Sequence, residues 1–475
     1  MKILLINPSQ EKVYGKRMSP AYPPLGLMYT GTVLRNEGHR VRLLDIDPEN
    51  INEEKFERVM ADFAPNAVGI TSTTPTVKDA LKWAGLCKRL NKNAPVIFGG
   101  AHATIVPGDV IKESAVDIVV IGESESTSKE LFNELSGPGP ELERIKGIYF
   151  KRAGKVTMND RRPFIEDLDS IPFPDRTLLE KPDAFVPPDA VYLPVATIIT
   201  SRGCPGNCTF CCTKQIFSKR FRARSVKNMI EEIEQLTGKE RIREIHILDD
   251  VFTLDKKRTL KFCEEIKRRN IRAHFQLING LRADFVNREI LGALKSIGVK
   301  TLGYGVETGN EKILKSIKKN IPFDVTRKAF KLSKELGFET WAFLIFGLPG
   351  ETEETIKDTI RFTKELNPDL AKFLVLKPYP GSEVYEELRK KNLILNNNYE
   401  DYGVYTKPVH RLPFLEPERM LYWQKRAFRE FYLRPGKIFF HLKRIRSWTQ
   451  LKILINDFLF VIYLMFRSAK NKKSP

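Results

Sequence analysis

The segment TSRGCPGNCTFCC, residues 200–212, carries Cys204, Cys208 and Cys211 in a C-x3-C-x2-C pattern. Thiolates are the usual ligands of iron–sulfur clusters, and a complete set around a 4Fe–4S cluster has four members. Three cysteines therefore leave one iron open to another molecule. The pattern predicts a cluster that takes part in chemistry rather than one that only supports the fold.

The remaining cysteines indicate a reducing compartment. The chain has six cysteines, and four of them lie within nine residues, whereas a secreted disulfide framework would spread them along the chain. The N-terminus has no signal-peptide pattern, so we expect a cytoplasmic location. Zinc is the alternative metal, but its sites usually pair two cysteine knuckles or add nearby histidines. No second knuckle exists, and the closest downstream histidine is His246.

The net charge of +20 is concentrated toward the C-terminus, where residues 434–475 carry ten Lys or Arg and one acid. The apolar run 458–466 is shorter than the roughly 20 residues of a membrane-spanning helix. Residues 434–475 therefore predict a basic amphipathic helix at an anionic membrane surface. A helix that packs on its own domain with a solvated basic face is the alternative.

Short apolar runs alternate with helical periodicities in the first part of the chain, which predicts a doubly wound parallel α/β sheet. Ligands of such sheets bind beyond the carboxyl ends of the strands. We therefore expect a large ligand across these ends, which carry the candidate contacts Thr71, Ser72, Gly99, Gly100, His102, Gly122 and Glu123.

A second alternation begins near Val195 and contains six strand–helix units, which predicts an open, partial (β/α)6 barrel. The expected domains are a Rossmann-like domain at 1–135, a linker with a hairpin at 136–192, the partial barrel at 193–400 and a helical C-terminal extension at 401–475. Barrel active sites lie at the carboxyl ends of the strands. The cysteine triplet and the candidate residues Asp249, Asp250, Arg282 and Glu307 all follow such ends.

These residues resemble the radical S-adenosylmethionine (SAM) superfamily, whose C-x3-C-x-aromatic-C signature is met by the triplet with Phe210. The segments 23–45, 99–104 and 122–126 resemble a cobalamin-binding domain. GVETGNEKILKSIKK (305–319) and FLIFGLPGET (343–352) resemble the cobalamin-dependent radical subfamily. That group includes methylases of unactivated carbon and anaerobic tetrapyrrole cyclases.

The resemblance implies that the open iron binds SAM and that an electron donor such as ferredoxin or flavodoxin reduces the cluster. Cleavage of SAM would then give a 5′-deoxyadenosyl radical, and cobalamin would supply a methyl group. It also implies that Phe210 shields the cluster near the adenine and that Asp249, Asp250 and Phe252 bind the methionine amino group. Arg282 would bind the carboxylate and Glu307 the ribose or amino group, unless these two side chains pair with each other. Cys212 and Cys263 are expected to be packed thiols.

One departure concerns the cobalt ligand. Methyl-carrier domains use D-x-H-x-x-G to place a histidine on the metal, and the N-terminal domain lacks this motif. Loops of the second domain or water would then face the metal. His102 is expected either to touch cobalamin or to pack within its loop.

The leading hypothesis is methylation or another radical modification of a lipid or tetrapyrrole-like substrate, because a basic apolar tail would hold the enzyme where such molecules dissolve. The alternative is RNA methylthiolation, which suits a positive charge. Methylthiotransferases, however, carry a further N-terminal cysteine triplet, and only Cys87 precedes residue 204 here. Nucleic acid is therefore not an expected partner. A non-catalytic corrinoid or iron–sulfur sensor is the third hypothesis, but it would not need so many polar residues at one rim.

Overall fold

The first sheet is built around a strand of sequence KILLIN, which is buried on both faces. The computed structural model describes residues 1–15, 22–187 and 190–443. The strands of this sheet are β1 (Lys2–Asn7), β2 (Arg40–Asp45), β3 (Ala67–Thr71), β4 (Val96–Gly99), β5 (Ile118–Val120), β6 (Ile148–Arg152) and β7 (Lys155–Met158).

The strand order is β2-β1-β3-β4-β5-β6-β7. The first five strands are parallel, and β6 and β7 form an antiparallel hairpin at one edge. The chain first adds β2 on one side of β1 and then adds β3, β4 and β5 on its other side. The boundary between β1 and β3 is therefore the switch point where ligands of doubly wound sheets bind. The predicted doubly wound sheet is confirmed. The hairpin expected within residues 136–192 extends this sheet.

Helices lie on both faces of the first sheet. They are α1 (Glu11–Tyr14), α2 (Leu25–Asn36), α3 (Ile46–Glu49), α4 (Glu53–Phe63), α5 (Val77–Leu90), α6 (Gly100–Ile105), α7 (Pro107–Val110) and α8 (Ser124–Leu135). Successive side chains of a strand point to opposite faces. Leu5 accordingly belongs to a core with residues of α2 and α8, whereas Leu4 belongs to a second core with residues of α4 and α5.

The second sheet has six parallel strands in sequential order, and its two outer strands do not pair with each other. This arrangement confirms the open partial barrel. The second half of the chain contains β8 (Val195–Ile198), β9 (Ser201–Arg202), β10 (Arg222–Ala223), β11 (Glu244–Ile247), β12 (His274–Leu281), β13 (Val299–Glu307), β14 (Glu339–Phe346) and β15 (Leu370–Val375). Strands β9 and β10 form a separate antiparallel ribbon beside the sheet.

Helices cover one face of the second sheet and share a single large core with it. The helices of the second half of the chain are α9 (Thr213–Ile216), α10 (Val226–Glu234), α11 (Lys256–Arg268), α12 (Arg288–Ser296), α13 (Glu311–Ser316), α14 (Phe323–Glu335), α15 (Glu353–Leu366), α16 (Glu383–Lys390), α17 (Pro417–Tyr432) and α18 (Pro435–Lys443), and of these α10–α17 contribute residues to that core. Helix α17 packs on the edge strand β15, where the rings of Phe373 and Phe428 meet edge to face at 5.4 Å.

Most of the predicted basic tail, residues 444–475, lies outside the described residues. Within the described part of the chain, no helix is long and apolar enough to cross a membrane.

The turn after β14 is closed by a buried carboxyl group. Glu351 accepts hydrogen bonds from the amides of Gly347, at 2.6 Å, and of Leu348, at 3.2 Å. Its other oxygen is buried and has no hydrogen-bond partner among the described residues. Burial raises the pKa of Glu351 to about 8, because the charged form is poorly solvated there.

This raised pKa predicts a pH-dependent contribution to stability. The folded chain holds the Glu351 proton more tightly than the unfolded chain, so the contribution is complete below the ordinary carboxyl pKa and is lost as pH rises through about 8. For one proton, the free energy of unfolding changes by at most about 1.4 kcal/mol per pH unit. Glu351→Gln keeps the acceptor oxygen and should reduce the decline in the free energy of unfolding between pH 5 and pH 8.5, measured by denaturant titration. Glu354→Gln, at an exposed position, is the control, and parallel curves for wild type and Glu351→Gln would refute the assignment.

Candidate active site

The cysteine loop leaves the ribbon strand β9 and is anchored at its middle. The amide of Thr209 donates to the carbonyl of Ile317 at 3.0 Å, and its carbonyl accepts from the amide of Val384 at 3.0 Å. These two bonds attach the loop to the ends of α13 and α16. The loop is therefore fixed at the carboxyl-terminal rim of the second sheet, as the sequence predicts.

The three cysteines are free, half-buried thiols. A Cβ atom added to Gly206 would lie 3.3 Å from the Cys204 sulfur, 3.9 Å from the Cys208 sulfur and 3.5 Å from a guanidinium nitrogen of Arg282. The Cys211 sulfur is 3.5 Å from the amide of Thr213, which lies at the start of α9. Burial raises the pKa values of Cys204 and Cys208, so a bound metal would be needed to hold them as thiolates. Three unpaired thiols beside a cation fit an iron–sulfur cluster, whose thiolate ligands carry negative charge.

Two other cysteines are packed thiols, as expected. Cys212 directs its sulfur toward the carbonyl of Pro380, 3.6 Å away, and burial raises its pKa to about 12. Cys263 lies in the core of the second sheet.

Asp249 has a supporting role, which differs from the predicted contact with SAM. Its carboxylate accepts from the amide of Thr200 at 2.6 Å, from the Thr200 hydroxyl at 2.5 Å and from the Ser201 hydroxyl at 2.6 Å. The side chain is buried, and these bonds occupy both oxygens. Asp249 thus joins the end of β11 to the start of the cysteine loop.

Asp250 and Phe252 have different surroundings. Asp250 accepts one long hydrogen bond from Thr213, at 3.4 Å, and burial together with the adjacent Asp249 raises its pKa to about 6. Asp250 therefore keeps acceptor capacity close to the cysteines. Phe252 is fully buried and packs edge to face on Phe262 at 5.7 Å. The expectation that Phe252 contacts a ligand is not supported, since its ring belongs to the core.

Arg282 and Glu307 do not pair with each other. Arg282 makes a two-pronged ion pair with Asp284 at 3.1 and 2.7 Å, and Glu307 pairs with Lys319 at 2.7 Å. Burial alone would lower the pKa of Lys319, but Glu307 and Cys208 raise it above its ordinary value. A Cβ on Gly305 would lie 2.5 Å from a Glu307 oxygen, so this glycine makes room for the pair beside the cysteines.

Phe210 is half-buried and packs against the core of the second sheet. Its position within the cysteine loop, one residue before Cys211, is compatible with the predicted shielding of a cluster.

The first sheet presents small residues at the edge where a ligand is expected. Thr71 is the last residue of β3 and Ser72 follows it, and the amide of Ser72 donates to the carbonyl of Gly99 at 2.9 Å. Gly100 has φ +90°, and a Cβ there would lie 2.6 Å from the Thr71 hydroxyl. Gly122 follows β5, with its amide held by Thr104 at 3.0 Å. Thr71, Ser72, Gly99, Gly100 and Gly122 therefore form a tight backbone edge without bulky side chains.

His102 is a packing residue rather than a free metal ligand. Its ring is 2% exposed, Nδ1 lies 3.1 Å from the Thr74 hydroxyl, and Tyr399 from the C-terminal region packs edge-on at 4.8 Å. Burial lowers its pKa to about 4. Of the two expectations for His102, packing within its loop is the one that the contacts support.

Glu123 contacts the second half of the chain instead of the ligand edge. It accepts from Arg202 at 3.1 Å and from Arg222 at 2.9 Å, and Glu125 also binds Arg202. The expected role of Glu123 in cofactor binding is thus replaced by an ion pair between the two domains.

Sequence reasoning missed three residues of this site. Lys319, Arg202 and Glu125 all lie inside the motif segments of the sequence, but charged residues are usually solvated at a protein surface. The missing signal was their burial, which depends on contacts between distant parts of the chain.

Comparison with known proteins agrees with this geometry. The radical SAM superfamily model matches residues 198–363, and the B12-binding domain model matches residues 11–132. An uncharacterized methyltransferase of Pyrococcus horikoshii is 36% identical over 92% of this chain and 93% of the relative. The anaerobic magnesium-protoporphyrin IX monomethyl ester cyclase of Rubrivivax gelatinosus is 27% identical over 88% of this chain and 74% of that protein.

A solved structure shares the same fold. The cobalamin-dependent SAM radical enzyme OxsB, solved with aqua-cobalamin and SAM, superimposes with a TM-score of 0.73 at 17% identity over 98% of this chain and 72% of that chain. The cysteine loop at the barrel rim, the doubly wound sheet before it and these matches lead to one assignment. The chain belongs to the radical SAM superfamily, in the group that joins a B12-binding domain to the radical domain, and is an enzyme whose cofactors are a 4Fe–4S cluster, SAM and cobalamin.

Proposed function

We propose that the enzyme methylates, or otherwise modifies by radical chemistry, an unactivated carbon of a lipid or tetrapyrrole-like substrate. The observation that carries this proposal is that apolar and aromatic side chains of β14 lie on the barrel face that is turned away from the helices. Along β14, Ala342, Leu344 and Phe346 belong to the helix-packed core. The alternate residues Trp341, Phe343 and Ile345 therefore point to the opposite, concave face.

The part of the concave face around Trp341 and Phe343 is apolar and adjoins two glycines of β13. Gly303 pairs with Trp341 and Gly305 with Phe343, while Ile345 pairs with Leu374 on the neighbouring strand. Because Gly303 carries no side chain, the Phe343 ring extends over it, 2.9 Å from where a Gly303 Cβ would stand, whereas the Glu307–Lys319 pair fills the space beside Gly305. Apolar and aromatic walls of this kind bind largely apolar molecules.

Lys372 lies on this face next to the aromatic rings. The Lys372 ammonium is 4.6 Å from the Trp341 ring centre and 5.5 Å from that of Phe343, close enough for cation–π attraction. A cation among aromatic rings suits a flat or extended apolar substrate that carries an acidic group. The cyclase similarity supports the same class of substrate.

We assign roles to the chain's own residues as follows. Cys204, Cys208 and Cys211 would hold the cluster, with Phe210 covering it. Asp250, Arg282, Glu307 and Lys319 would bind the polar groups of SAM, whose amino, carboxylate and ribose groups need such partners. Thr71, Ser72, Gly99, Gly100 and Gly122 would line the cobalamin crevice. When bound, these cofactors supply the one-electron and methyl-transfer chemistry that side chains lack.

An electron donor of the ferredoxin or flavodoxin class completes the proposal, together with a peripheral position at an anionic membrane surface. The membrane proposal is supported by a cavity of about 580 Å³ beside the start of α18, whose lining includes Arg434, one acid, Asp369, and two lysines, Lys334 and Lys437, that donate to backbone carbonyls. Leu433, Ile438 and Phe439 on the same segment are 55%, 46% and 60% exposed. Cations next to exposed apolar side chains suit the interface of an anionic bilayer.

The reaction can be tested with methyl-deuterated SAM. Anaerobically reconstituted enzyme, with cobalamin and a low-potential reductant, is incubated with a total extract of its host and then separated into organic and aqueous phases. We expect consumption of SAM and a mass change in an apolar compound, and neither change with a Cys208→Ser variant. Deuterium in RNA would overturn the proposed substrate class, and SAM left intact by a protein with full iron content would overturn the reaction.

The two neighbouring aspartates should behave differently. Asp249→Asn turns an acceptor oxygen into a donor facing Thr200 or Ser201, so we expect a poorly held cluster and low iron content. Asp250→Asn should retain iron and weaken SAM binding about tenfold or more, because a hydrogen bond to a charged group is lost. Iron analysis and SAM titration distinguish the two, and equal iron loss in both variants would contradict the assigned roles.

Membrane association can be measured by co-sedimentation with phosphatidylglycerol vesicles. We expect the Ile438→Ser/Phe439→Ser double variant to bind at least about tenfold less than wild type, since each buried apolar side chain contributes about 1.5–3 kcal/mol and about 1.4 kcal/mol is a factor of ten. Phe414→Ser, at a site that is 80% exposed elsewhere in the second half of the chain, is the matched control. Equal binding of all variants, or equal binding to phosphatidylcholine vesicles, would contradict the proposal.

A further inference from the structure

Four buried charged side chains connect the first domain to the cysteine loop. Glu123 and Glu125 come from the junction of β5 and α8, and Arg202 and Arg222 come from the ribbon β9–β10. Glu123 accepts from both arginines, at 3.1 and 2.9 Å, and Glu125 accepts from Arg202. All four side chains are at most 8% exposed. We call this group the arginine–glutamate clamp.

Arg202 of the arginine–glutamate clamp lies two residues before Cys204, the first of the three proposed cluster ligands. Only Gly203 separates Arg202 from Cys204, and Gly203 has φ +87°. A side chain there would collide with the carbonyl of Arg220 and lie 3.0 Å from that of Phe217. Because this backbone is tightly enclosed, a displacement of Arg202 would be transmitted to Cys204 rather than absorbed by Gly203.

Arg202 itself has little freedom. Its guanidinium lies over the rings of Tyr29, from α2 of the first domain, and of Phe217, each at 5.7 Å. The cavity beside it is only about 10 Å³, which is at most enough for one water molecule. Burial would lower the pKa of Arg202, but Glu125 and Glu123 raise it. The arginine is therefore charged and has no other counter-ion than these two glutamates among its described ion pairs.

The opposite end of the clamp adjoins the crevice of the first sheet. Glu123 directly follows Gly122, whose amide is bound by Thr104 of α6. A molecule that rests on the Gly122 edge therefore presses on the same short loop that presents the two carboxylates. Breaking a buried ion pair on one side is costly because the other charge stays buried, so the loop and the ribbon should move together.

We propose that the arginine–glutamate clamp couples the two cofactor sites. Binding in the crevice of the first sheet fixes Glu123 and Glu125, and these fix Cys204 through Arg202. Glu125 and Arg202 are thus positioning residues for the cluster, which neither of them touches. The inference rests on the crevice being the cobalamin site, as proposed above.

Hydrogen exchange of the full-length, cluster-free chain tests this coupling. Hydroxocobalamin is added to wild type, to Glu125→Gln and to Glu130→Gln, and exchange of the amides 203–211 is followed by mass spectrometry. Glu130 lies on the same helix α8 and forms a more exposed ion pair with Arg162, so its variant is the matched control. We expect cobalamin to slow exchange in this segment about fivefold or more in wild type and in Glu130→Gln, within the usual range of coupling. In Glu125→Gln the effect should largely disappear while cobalamin uptake, read from its absorbance, is retained.

A second readout uses the reconstituted protein. The EPR spectrum of the reduced, SAM-bound cluster should change in Glu125→Gln, change less in Glu125→Asp, and stay as in wild type in Glu130→Gln. The aspartate variant keeps the charge, so it covers the case in which the glutamine variant does not fold. Uptake of cobalamin by wild type without slower exchange at 203–211 would overturn the coupling alone. Absence of uptake would overturn the cobalamin site and the coupling that depends on it.

Discussion

The buried pairing of Glu123 and Glu125 with Arg202 and Arg222 is the constraint on which the rest of the structure depends. It joins two domains that each have their own sheet and core, and it does so beside the loop that carries the cluster cysteines. Charges removed from water are stable only when their partners stay in place. The position of the first domain and the position of Cys204 are therefore set by the same interaction.

The cysteine loop is held by further contacts that do not involve the cysteines. Asp249 fixes its beginning, and the backbone of Thr209 fixes its middle against the ends of α13 and α16. Glu307 and Lys319 form a compensated pair next to it. The three thiols are not used by these contacts, and Asp250 keeps acceptor capacity beside them, which is why we propose it as a contact for a second molecule on the open iron.

Much of this fold is readable from the sequence, because both sheets follow from local apolar runs and the cysteine spacing is a local pattern. Helices such as α2 and α5 belong to the alternation of strands and helices that the local periodicity predicts. The roles of the site residues are harder to predict from the sequence. Phe252, His102 and Asp249 stand in motif positions, yet the structure uses the first for the core, the second for loop packing and the third for anchoring the cysteine loop. Glu123 and Lys319 differ from solvated surface charges only through partners at a distance in sequence, and no local pattern encodes such partners.

The central claim is that the triplet forms a 4Fe–4S cluster with one iron that binds SAM. The most direct test is electron–nuclear double resonance of the reduced, reconstituted protein with SAM labelled with ¹⁵N at the amino group or ¹⁷O at the carboxylate. The account predicts hyperfine coupling from both labels, which disappears when unlabelled SAM is exchanged in. A cluster that shows no coupling to either label, with SAM demonstrably bound, would contradict it.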